Sequence, residues 1–347
     1  MSRPVLLCGY YGEHNLGDDA LLEALLSQLP DSVSPLVTAF DQASVQQRHH
    51  VATVPRRSLT AALAATGRCR ALVLGGGSLL QDSTSARSLL YYAALILVTR
   101  LQGKPVVLWA QGLGPLRRSS SRWLVRLLLA MTPAISWRDA GSARLARRLG
   151  RAAPHGADAV WALPQLPWLG RGGPIVVCWR PTSLLTDADW ATCLQALAEL
   201  AEQGDREVLW LPFHRHQDQG LLQRFRAAGL LPASLQRRSR ELPAERPAEA
   251  MAVFRSAGLV VAMRLHALIL AALSGSPITA LSYDPKVQAC ATEFGCSCID
   301  LSDPLPAAEA LCSVWREALD APPPSSALEQ MRAATGLHRQ LLQILEA

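Results

Sequence analysis

The chain has 347 residues, of which 50% are hydrophobic and 18% are charged, and its formal net charge is +6. This composition excludes a disordered or fibrous protein, and the length exceeds what one hydrophobic core usually serves, so we expect two domains. The positive charge favours anionic partners. Because no nucleic-acid-binding motif is present and the few aromatic residues do not interleave with the basic ones, we expect no nucleic acid.

The cysteines and the N-terminus bear on the compartment. The eight cysteines form no C-x-x-C pair that would suggest a zinc or redox site, so we expect buried, reduced thiols. The first apolar run is too short for a signal peptide, and the longest uncharged apolar run, residues 89–98, is about half of what spans a bilayer. We therefore expect a cytoplasmic protein.

Short apolar runs alternate with helical patterns through the first half of the chain, which is typical of βαβ units and a parallel sheet. Strands are predicted at residues 5–9, 36–39, 71–74, 106–110 and 134–137. Helices are predicted at residues 18–29, 87–102, 122–131 and 141–149. These elements predict an N-terminal Rossmann-like domain over residues 1–165.

The predicted helix over residues 122–131 lies in a basic segment. This segment combines four arginines with apolar side chains, namely Arg117, Arg118, Arg122 and Arg126 beside Trp123, Leu124, Leu127 and Leu128. Such a pattern is typical of a solvated basic helix face, and also of a helix that contacts the surface of a membrane. Both interpretations stay open.

The second half of the chain follows a segment rich in proline, glycine and tryptophan, residues 154–174, which predicts an interdomain linker. Strands at residues 175–179, 208–212, 259–262 and 278–281 alternate with helices at residues 187–203, 221–228, 247–256 and 266–273. They predict a second Rossmann-like domain over residues 174–322. After three prolines, the apolar spacing of residues 327–345 predicts a terminal helix, assigned to residues 327–347, that packs back on the first domain.

Ligands of open α/β sheets bind at the carboxyl ends of the strands, where loop amides and helix N-termini converge. After the first predicted strand, a glycine-containing loop carries Asn15 and Asp18 directly before a helix. One of the two is expected to cap that helix, since Asn and Asp often do so. The loop is longer than a cap requires, so we also expect it to bind a ligand.

Three further loops of the first half follow strands. Gly75, Gly76, Gly77 and Ser78 form a glycine-rich loop of the type that binds anions. Gln111 opens a second loop. Arg138 follows another strand, where its guanidinium group is suited to bind a carboxylate or phosphate through two hydrogen bonds.

In the second half, Arg264, Leu265 and His266 leave a strand and open a helix. An arginine and a histidine beside a helix N-terminus suit a phosphate, and the histidine can supply a proton near neutral pH. The H-x-H-x-D string that begins at His214 suggests a metal ion only weakly, because no further ligands cluster with it. We expect no metal there.

These loops occur in a fixed order along the chain. They read GYYG and NLGD within residues 9–18, GGGS at 75–78, WAQGLGP at 109–115, WRD at 137–139 and MRLH at 263–266. In this combination the chain resembles the polysaccharide pyruvyl transferase family, and within it the CsaB type. The resemblance runs in order from the first strand to SYDPKV at residues 282–287.

The resemblance implies an α/β, glycosyltransferase-B-like fold of two Rossmann-like domains with a cleft between them. It also implies phosphoenolpyruvate as the donor and a saccharide as the acceptor, on which a pyruvate ketal forms with release of phosphate. In CsaB-like enzymes the acceptor is an N-acetylmannosamine of a cell-wall or S-layer polymer precursor. A lipid-linked acceptor would bring the protein to the inner face of the membrane through its basic helix.

The resemblance and the chemistry of the loops together predict the site residues. The expected catalytic residues are His266 as general acid or phosphate partner, Asp18 as the group that binds or deprotonates the acceptor, and Arg138. The expected donor-binding residues are Arg264, Leu265, His266, Arg138, Gly75, Gly76, Gly77 and Ser78. The expected acceptor-binding residues are Asn15, Asp18 and Gln111. The first loop departs from the family in Glu13 and His14, where smaller or apolar residues are expected.

Two other functions stay open at this point. A nucleotide-sugar-dependent glycosyltransferase would use the same scaffold, with glycine loops and basic residues. A non-catalytic binding protein would retain the fold without the chemistry. Stabilisation by the donor separates the two transferases, because a ligand that binds only the native state raises its stability.

Overall fold

The computed structural model of the chain describes residues 3–83 and 85–346. Residues 1, 2 and 347, at the outer ends of the predicted first domain and terminal helix, lie outside the described residues, as does residue 84. By its internal contacts the chain divides into two compact units. We call Met1–Glu13, Asp18–Ala162 and Met331–Ala347 the first unit, and His14–Gly17 and Leu163–Gln330 the second unit.

The first unit is built on a parallel sheet, which has six strands within the described residues. The strands are β1 (Val5–Cys8), β2 (Pro35–Ala39), β3 (Ala52–Pro55), β4 (Ala71–Gly75), β5 (Val106–Gln111) and β6 (Ala134–Trp137). The helices between and after them are α1 (Leu16–Gln28), α2 (Gln42–His49), α3 (Leu59–Arg68), α4 (Ala86–Leu101), α5 (Ser119–Met131) and α6 (Ala140–Arg148). The sheet order is β3-β2-β1-β4-β5-β6, so the chain starts at the centre and winds to each edge in turn.

The second unit repeats this plan, again with six parallel strands in the part of the chain that the structure describes. The strands are β7 (Ile175–Cys178), β8 (Val208–Trp210), β9 (Ser239–Glu241), β10 (Leu259–Ala262), β11 (Ile278–Ser282) and β12 (Ser297–Asp300). The helices are α7 (Asp187–Gln203), α8 (Arg215–Asp218), α9 (Leu221–Ala227), α10 (Ala233–Arg238), α11 (Pro247–Phe254), α12 (Leu265–Leu273), α13 (Pro285–Phe294) and α14 (Ala308–Ala318). The sheet order is β12-β11-β10-β7-β8-β9.

Both sheets have the strand order of doubly wound Rossmann folds. Central strands such as β1, with the sequence VLLC, and β10, with the sequence LVVA, are buried along their whole length, because helices cover both faces of such a sheet. The predicted α/β class with two Rossmann-like domains is confirmed. Every strand predicted from an apolar run overlaps an observed strand.

The strands that the sequence pattern does not predict are β3, β9 and β12, and all three lie at sheet edges. β3 exposes Ala52 and Pro55, and β9 consists of Ser-Arg-Glu. These three strands pair on one side only and are partly exposed, so they lack the apolar run of a covered strand. The fourth edge strand, β6, is buried along its length and was predicted, so apolar runs locate the covered strands and miss the partly exposed ones.

Residues 89–98, the longest uncharged apolar run, lie within α4. Half of that run faces the core, including Leu89, Tyr92 and Ile96. Across residues 3–83 and 85–346, no helix is both long and apolar enough to cross a bilayer. The eight cysteines are all free thiols.

The terminal segment differs from the single helix predicted over residues 327–345. It forms α15 (Ser325–Ala334), α16 (Gly336–Leu342) and a 3-10 turn (Gln343–Leu345). The break falls at Thr335, whose hydroxyl donates a 2.7 Å hydrogen bond to the carbonyl of Arg332. Gly336 follows directly, and threonine and glycine are both poor helix formers, which favours a break at this point.

His338 of α16 is fully buried within the first unit. Its Nδ1 lies 2.8 Å from Ser136 Oγ, and its Nε2 lies 2.8 Å from the carbonyl oxygen of Ala157. Because a carbonyl can only accept, Nε2 carries the proton and Nδ1 accepts from the Ser136 hydroxyl. Trp109 Nε1 also donates to the His338 carbonyl at 3.1 Å. A neutral histidine thus anchors the terminal segment to β5 and β6.

We expect this anchor to weaken in acid. Burial lowers the pKa of His338 below its ordinary value. Between that lowered pKa and about 6.5, the unfolded chain binds a proton that the folded chain does not, so stability falls as the pH falls below about 6.5. As the pH is lowered from about 7 to about 5, the unfolding temperature of His338→Gln should therefore fall less than that of the wild type.

The wild type has to be compared with His338→Gln because Asp19 changes the stability in the opposite direction over the same pH range. Burial raises the pKa of this carboxyl to about 7, although it forms an ion pair with Arg48 at 3.2 Å. A raised carboxyl pKa adds stability as the pH falls, which opposes the effect of His338. Both proteins share the Asp19 contribution, so only the difference between them reports on His338. Equal slopes in the two proteins would show that His338 does not titrate in this range.

Candidate functional site

In the second unit the strand order reverses between β7 and β10. Ligands of open α/β sheets bind outside the carboxyl ends of the strands at such a switch point. Arg180 follows β7, and Arg264 and His266 follow β10. Helix α12 begins at Leu265, and the N–H groups of a first helical turn have no partner within their helix. Two arginines, a histidine and backbone donors thus flank one point of the sheet.

Arg264 is held by a buried carboxylate. Its Nε and NH2 groups both donate to Asp218, the former at 3.1 Å, and NH2 also donates to Gln217 Oε1 at 2.9 Å. The Asp218 side chain is 1% exposed and also accepts from the backbone N–H groups of Phe213 and His214, at 3.2 and 2.8 Å. The NH1 group of Arg264 bonds to none of the described residues. The guanidinium group is thus fixed, with one nitrogen available to a ligand.

Arg180 is fixed by an aromatic ring. Its guanidinium carbon lies 4.6 Å from the centroid of the Tyr283 ring, and its NH1 group donates to the Tyr283 hydroxyl at 3.2 Å. Its backbone N–H donates to Sδ of Met263, the residue before Arg264, at 3.5 Å. The preceding residue, Trp179, is buried among other aromatic rings. Because NH2 bonds to nothing in the described part of the chain, Arg180 offers a second fixed cation.

His266 lies against residues 14–17, which belong to the second unit. Asn15 forms an antiparallel bridge with His214, and the Arg215 N–H donates to the carbonyl of residue 14 at 3.0 Å. This pairing brings Gly17 so close to His266 that a Cβ on Gly17 would stand 2.2 Å from the imidazole Nδ1. The absence of a side chain on Gly17 therefore leaves the space that the His266 ring occupies.

Replacing Gly17 with alanine should displace the His266 ring. The added Cβ would also stand 2.8 Å from Cγ and 3.0 Å from Cβ of His266, so the whole side chain has to move. A displacement of about 1 Å at a reacting group costs about a hundred-fold in rate, so if His266 takes part in the reaction as predicted, turnover should fall by about ten-fold or more. The clash should also lower the free energy of unfolding by about 1–3 kcal/mol, because Gly17 is buried, so the rate is measured at a temperature where the variant is folded.

Gly67→Ala is the matched control for this substitution. Gly67 lies in α3 of the first unit, and a Cβ there meets no atom within 4 Å. It should retain wild-type transfer and gain slight stability. If Gly17→Ala were as active as Gly67→Ala, the position of the His266 ring would not matter for the reaction.

The predicted capping role falls to Asn15. Its Oδ1 accepts from the Gly17 N–H at 3.0 Å, at the start of α1. Asp18, the third residue of α1, is half-buried and belongs to the first unit. The helix dipole stabilises the charged form of a carboxylate in the first helical turn, where Asp18 lies.

Three histidine rings gather beside Arg264 in the second unit. The ring centroids of His14 and His216 are 5.7 Å apart, and those of His214 and His216 are 6.2 Å apart. Burial and the nearby Arg264 guanidinium lower the pKa of His214, so its imidazole is neutral at neutral pH. No group of three or more His, Cys, Asp or Glu side chains among the described residues is arranged to hold a metal ion.

In the first unit the strand order reverses between β1 and β4, and glycine-rich loops follow both strands. Gly76 and Gly77 have φ angles of 71° and 68°, in the left-handed region that favours glycine. The Gly76 N–H donates to the Trp109 carbonyl at 2.9 Å, and the Gln111 side-chain amide donates to the carbonyls of Leu74 and Gly76 at 3.1 and 2.7 Å. Gln111 therefore supports the shape of the glycine loop.

Arg138 is buried and bonded through all three of its guanidinium nitrogens. Nε donates to Asp139 at 3.3 Å, NH1 to Asp158 at 3.4 Å and NH2 to Ser78 Oγ at 3.1 Å. The guanidinium group also packs on Gly112, where a Cβ would stand 2.8 Å from its Nε. Two carboxylates offset the charge of Arg138, and Ser78 joins it to the glycine loop after β4.

The loop after β1 also contacts the residues that follow β2 and β3. Arg56 forms an ion pair with Glu13, and its guanidinium carbon lies 3.7 Å from the centroid of the Tyr10 ring. Arg57 pairs with the other Glu13 oxygen at 2.7 Å and lies 3.6 Å from the centroid of the Phe40 ring. Glu13 is thus the partner of two arginines, and the cluster keeps one excess positive charge.

The predicted site residues fall into two groups. Asn15, Arg264, Leu265 and His266 lie at the carboxyl edge of the sheet in the second unit. The corresponding edge in the first unit holds Asp18, Gly75, Gly76, Gly77, Ser78, Gln111 and Arg138. The sequence pattern does not single out Arg180 or Tyr283, and it singles out Asp218 only as a weak metal-ligand candidate in the H-x-H-x-D string. Arg180 could have been found as the first charged residue after a buried strand, whereas the roles of Asp218 and Tyr283 are identified only by their contacts.

The family is shown by sequence comparison. A model of the polysaccharide pyruvyl transferase family matches residues 15–285. The chain belongs to this family. It is therefore a transferase rather than a non-catalytic binding protein. The family predicted from its motifs is confirmed. The CsaB type stays a prediction. No curated protein matches the chain significantly in sequence.

Solved structures match almost the whole chain at low identity. UDP-GlcNAc 2-epimerase from Methanocaldococcus jannaschii has a TM-score of 0.64 at 10% identity, covering 100% of this chain and 99% of that one. The putative UDP-N-acetylglucosamine 2-epimerase from Listeria monocytogenes has a TM-score of 0.62 at 14% identity, and the match covers 98% of this chain and 94% of that one. HepE from Anabaena, in complex with UDP, has a TM-score of 0.57 at 12% identity, and the match covers 99% of this chain and 98% of that one. These similarities confirm the predicted glycosyltransferase-B-like fold.

Proposed function

We propose that the enzyme transfers the pyruvyl group of phosphoenolpyruvate to two hydroxyl groups of a saccharide. A proton adds to the methylene carbon, and the first hydroxyl bonds to the neighbouring carbon. The bond from that carbon to the phosphate oxygen breaks, and the second hydroxyl closes the ketal. The two hydroxyl groups of the acceptor lose one proton each. One proton accounts for the third hydrogen of the new methyl group, and the other accounts for the hydrogen of the released hydrogen phosphate.

The two fixed guanidinium groups at the β7–β10 switch point carry this proposal. Phosphoenolpyruvate bears a carboxylate and a phosphate on the same carbon, so its recognition requires at least two cations and several N–H donors. Arg180 and Arg264 each have a terminal nitrogen that bonds to none of the described residues. The backbone N–H of Leu265, at the start of α12, is placed to add a further donor.

We propose that His266 donates the proton that adds to the methylene carbon. A positioned imidazole is the commonest general acid and base in enzymes, so it can give up a proton and regain one in each cycle. Asp18 is assigned to the acceptor hydroxyl, because a carboxylate can bind it and remove its proton. Arg138, whose charge is already offset by two carboxylates, acts as a positioning residue that holds Ser78 and the glycine loop.

The acceptor is assigned from the likeness to CsaB-type enzymes. It is an N-acetylmannosamine of a lipid-linked cell-wall or S-layer precursor, and the reaction takes place in the cytoplasm without a metal or cofactor. The cluster of Glu13, Arg56 and Arg57 supports an acceptor that carries phosphate, because it keeps an excess positive charge at the carboxyl edge of its sheet. Asn15 is assigned to the acceptor, whereas Gln111 is fully buried and acts by supporting the glycine loop.

Stabilisation by ligands tests the donor. Thermal unfolding is followed with phosphoenolpyruvate, inorganic phosphate, UDP and UDP-N-acetylglucosamine. Phosphoenolpyruvate at about 100 times its Kd should raise the free energy of unfolding by about 2.7 kcal/mol. Arg180→Met and Arg264→Met should lose this stabilisation, whereas Arg237→Met, at an exposed position of the same unit, should keep it.

A nucleotide-sugar-dependent glycosyltransferase is the second candidate, because a structure of similar fold contains UDP. Stabilisation by UDP or its sugar, without stabilisation by phosphoenolpyruvate, would favour it and contradict the proposal. Where phosphoenolpyruvate stabilises the protein, mass spectrometry of N-acetylmannosamine acceptors for an added pyruvate ketal then tests the second substrate.

A further inference from the structure

Helix α5 exposes a face on which apolar and basic side chains lie side by side. Arg122, Trp123, Arg126 and Leu127 are exposed, and their spacing places them on one side of the helix. Trp123 is 68% exposed and Leu127 is 39% exposed. Val125, on the opposite side, is buried in the core of the first unit. We call Arg122, Trp123, Arg126 and Leu127 the α5 face.

The surroundings of the α5 face are strongly basic. Residues 117–151 contain nine arginines and a single acidic residue, Asp139. Asp139 is engaged at the start of α6, where it pairs with Arg138 at 3.3 Å and accepts from the Ser142 N–H at 2.6 Å. Helix α5 itself contains no acidic residue. The charges of Arg122 and Arg126 are therefore not offset within their own helix.

The α5 face continues onto neighbouring helices. Arg126 Nε lies 3.9 Å from the place of a Cβ at Gly150, directly after α6, and three arginines of α6 are exposed. Helix α4 packs against α5 and lies on the same side of the sheet, because β4, β5 and β6 follow one another in one direction through right-handed crossovers. On α4, Leu90 and Leu101 are exposed.

We propose that the α5 face docks on an anionic lipid bilayer. Trp123 and Leu127 enter the layer between headgroups and acyl chains, and Arg122 and Arg126 bind the lipid phosphates. Helices that lie on membranes combine an apolar stripe containing Trp or Leu with a flanking row of basic residues. Tryptophan favours this layer because its ring is apolar and its N–H is polar.

A nucleic acid fits the α5 face less well. Binding to single strands uses several aromatic rings along a basic groove, whereas this face presents one tryptophan on a convex helix. The proposal is tested independently of the proposed donor and acceptor, because binding to lipid vesicles is measured without either substrate. Its failure and the failure of the proposed function are therefore separate results.

Sedimentation with lipid vesicles tests the proposal. The full-length protein should bind vesicles of equal parts phosphatidylglycerol and phosphatidylcholine, and should not bind pure phosphatidylcholine. Raising the salt from about 0.1 M to about 1 M should release much of it, because salt screens the attraction between charges. Trp123→Ser/Leu127→Ser and Arg122→Ser/Arg126→Ser should each weaken binding by about ten-fold or more.

Matched controls lie on the second unit. Leu169→Ser/Leu184→Ser removes two exposed leucines, and Arg237→Ser/Arg240→Ser removes two exposed arginines. Both pairs should bind anionic vesicles as the wild type does, and thermal unfolding should show that every variant folds.

Three results would overturn the proposal. The first is a wild-type protein that ignores anionic vesicles at low salt. The second is equal binding by the α5 variants and the controls, which would place the contact elsewhere. The third is size-exclusion chromatography that shows a dimer lost only in the α5 variants, without vesicle binding, since the face would then join two copies of the chain.

Discussion

Replacing His266 with asparagine is expected to lower the rate of pyruvyl transfer by about a hundred-fold to ten-thousand-fold, the range that a positioned proton donor contributes. Asparagine keeps a polar group but cannot supply a proton to the methylene carbon. Phosphate release from phosphoenolpyruvate in the presence of an N-acetylmannosamine acceptor measures the rate. Thermal unfolding should change little, because His266 is only partly buried.

Donor binding separates two roles for His266. If the imidazole acts as the proton donor, His266→Asn keeps its stabilisation by phosphoenolpyruvate while turnover is lost. If it acts only as a phosphate ligand, stabilisation and turnover fall together. His155→Asn, at an exposed position in the first unit, should behave as the wild type. A His266→Asn enzyme with a near-normal rate would remove this residue from the mechanism.

Removing the carboxylate of Asp218 is expected to lower the free energy of unfolding by about 3–5 kcal/mol, as for other buried ion pairs that lose one partner. Asp218→Ala leaves Arg264 as a largely buried cation without its counter-charge. The backbone N–H groups of Phe213 and His214 lose their acceptor at the same time. Urea denaturation measures the loss, and stabilisation by phosphoenolpyruvate should weaken because Arg264 is no longer held.

The double variant Asp218→Leu/Arg264→Met should recover part of this stability. Replacing both partners of a buried ion pair with apolar side chains costs much less than removing one. Recovery stays incomplete, because the two backbone N–H groups still lack an acceptor. The control is Glu207→Ala, which removes an exposed pair with Arg240 and should cost about 1 kcal/mol or less. An Asp218→Ala loss no larger than this would show that the carboxylate does not hold the site.

The central strands of each sheet are readable from the sequence, as is the buried edge strand β6, whereas the three partly exposed edge strands are not. VLLC in β1 and LVVA in β10 are apolar at every position because both faces of these strands are covered. SCID in β12 is only half-buried along its length, so its composition does not distinguish it from a loop. Pairing with a neighbouring strand, which no local pattern records, makes it part of the sheet.

The site shows the same division. Arg264 and His266 are predictable because they directly follow a buried strand and open a helix. Asp218 lies 46 residues before Arg264, and only the fold brings its carboxylate to the guanidinium group. Gly17 reads as one more glycine of a flexible loop, and its contact with His266 arises from the antiparallel pairing of Asn15 with His214.

The sequence by itself determined the α/β class, the two Rossmann-like domains, the family and the loops that carry its chemistry, because all of these depend on local patterns of apolar, glycine and charged residues. Only the tertiary structure decided which distant partners fix each charged group: Tyr283 for Arg180, Asp218 for Arg264, and Ser78 with Asp158 for Arg138. Such contacts join residues far apart in the chain, and the free energy of an ion pair or hydrogen bond depends on distance and burial in space rather than on separation in sequence.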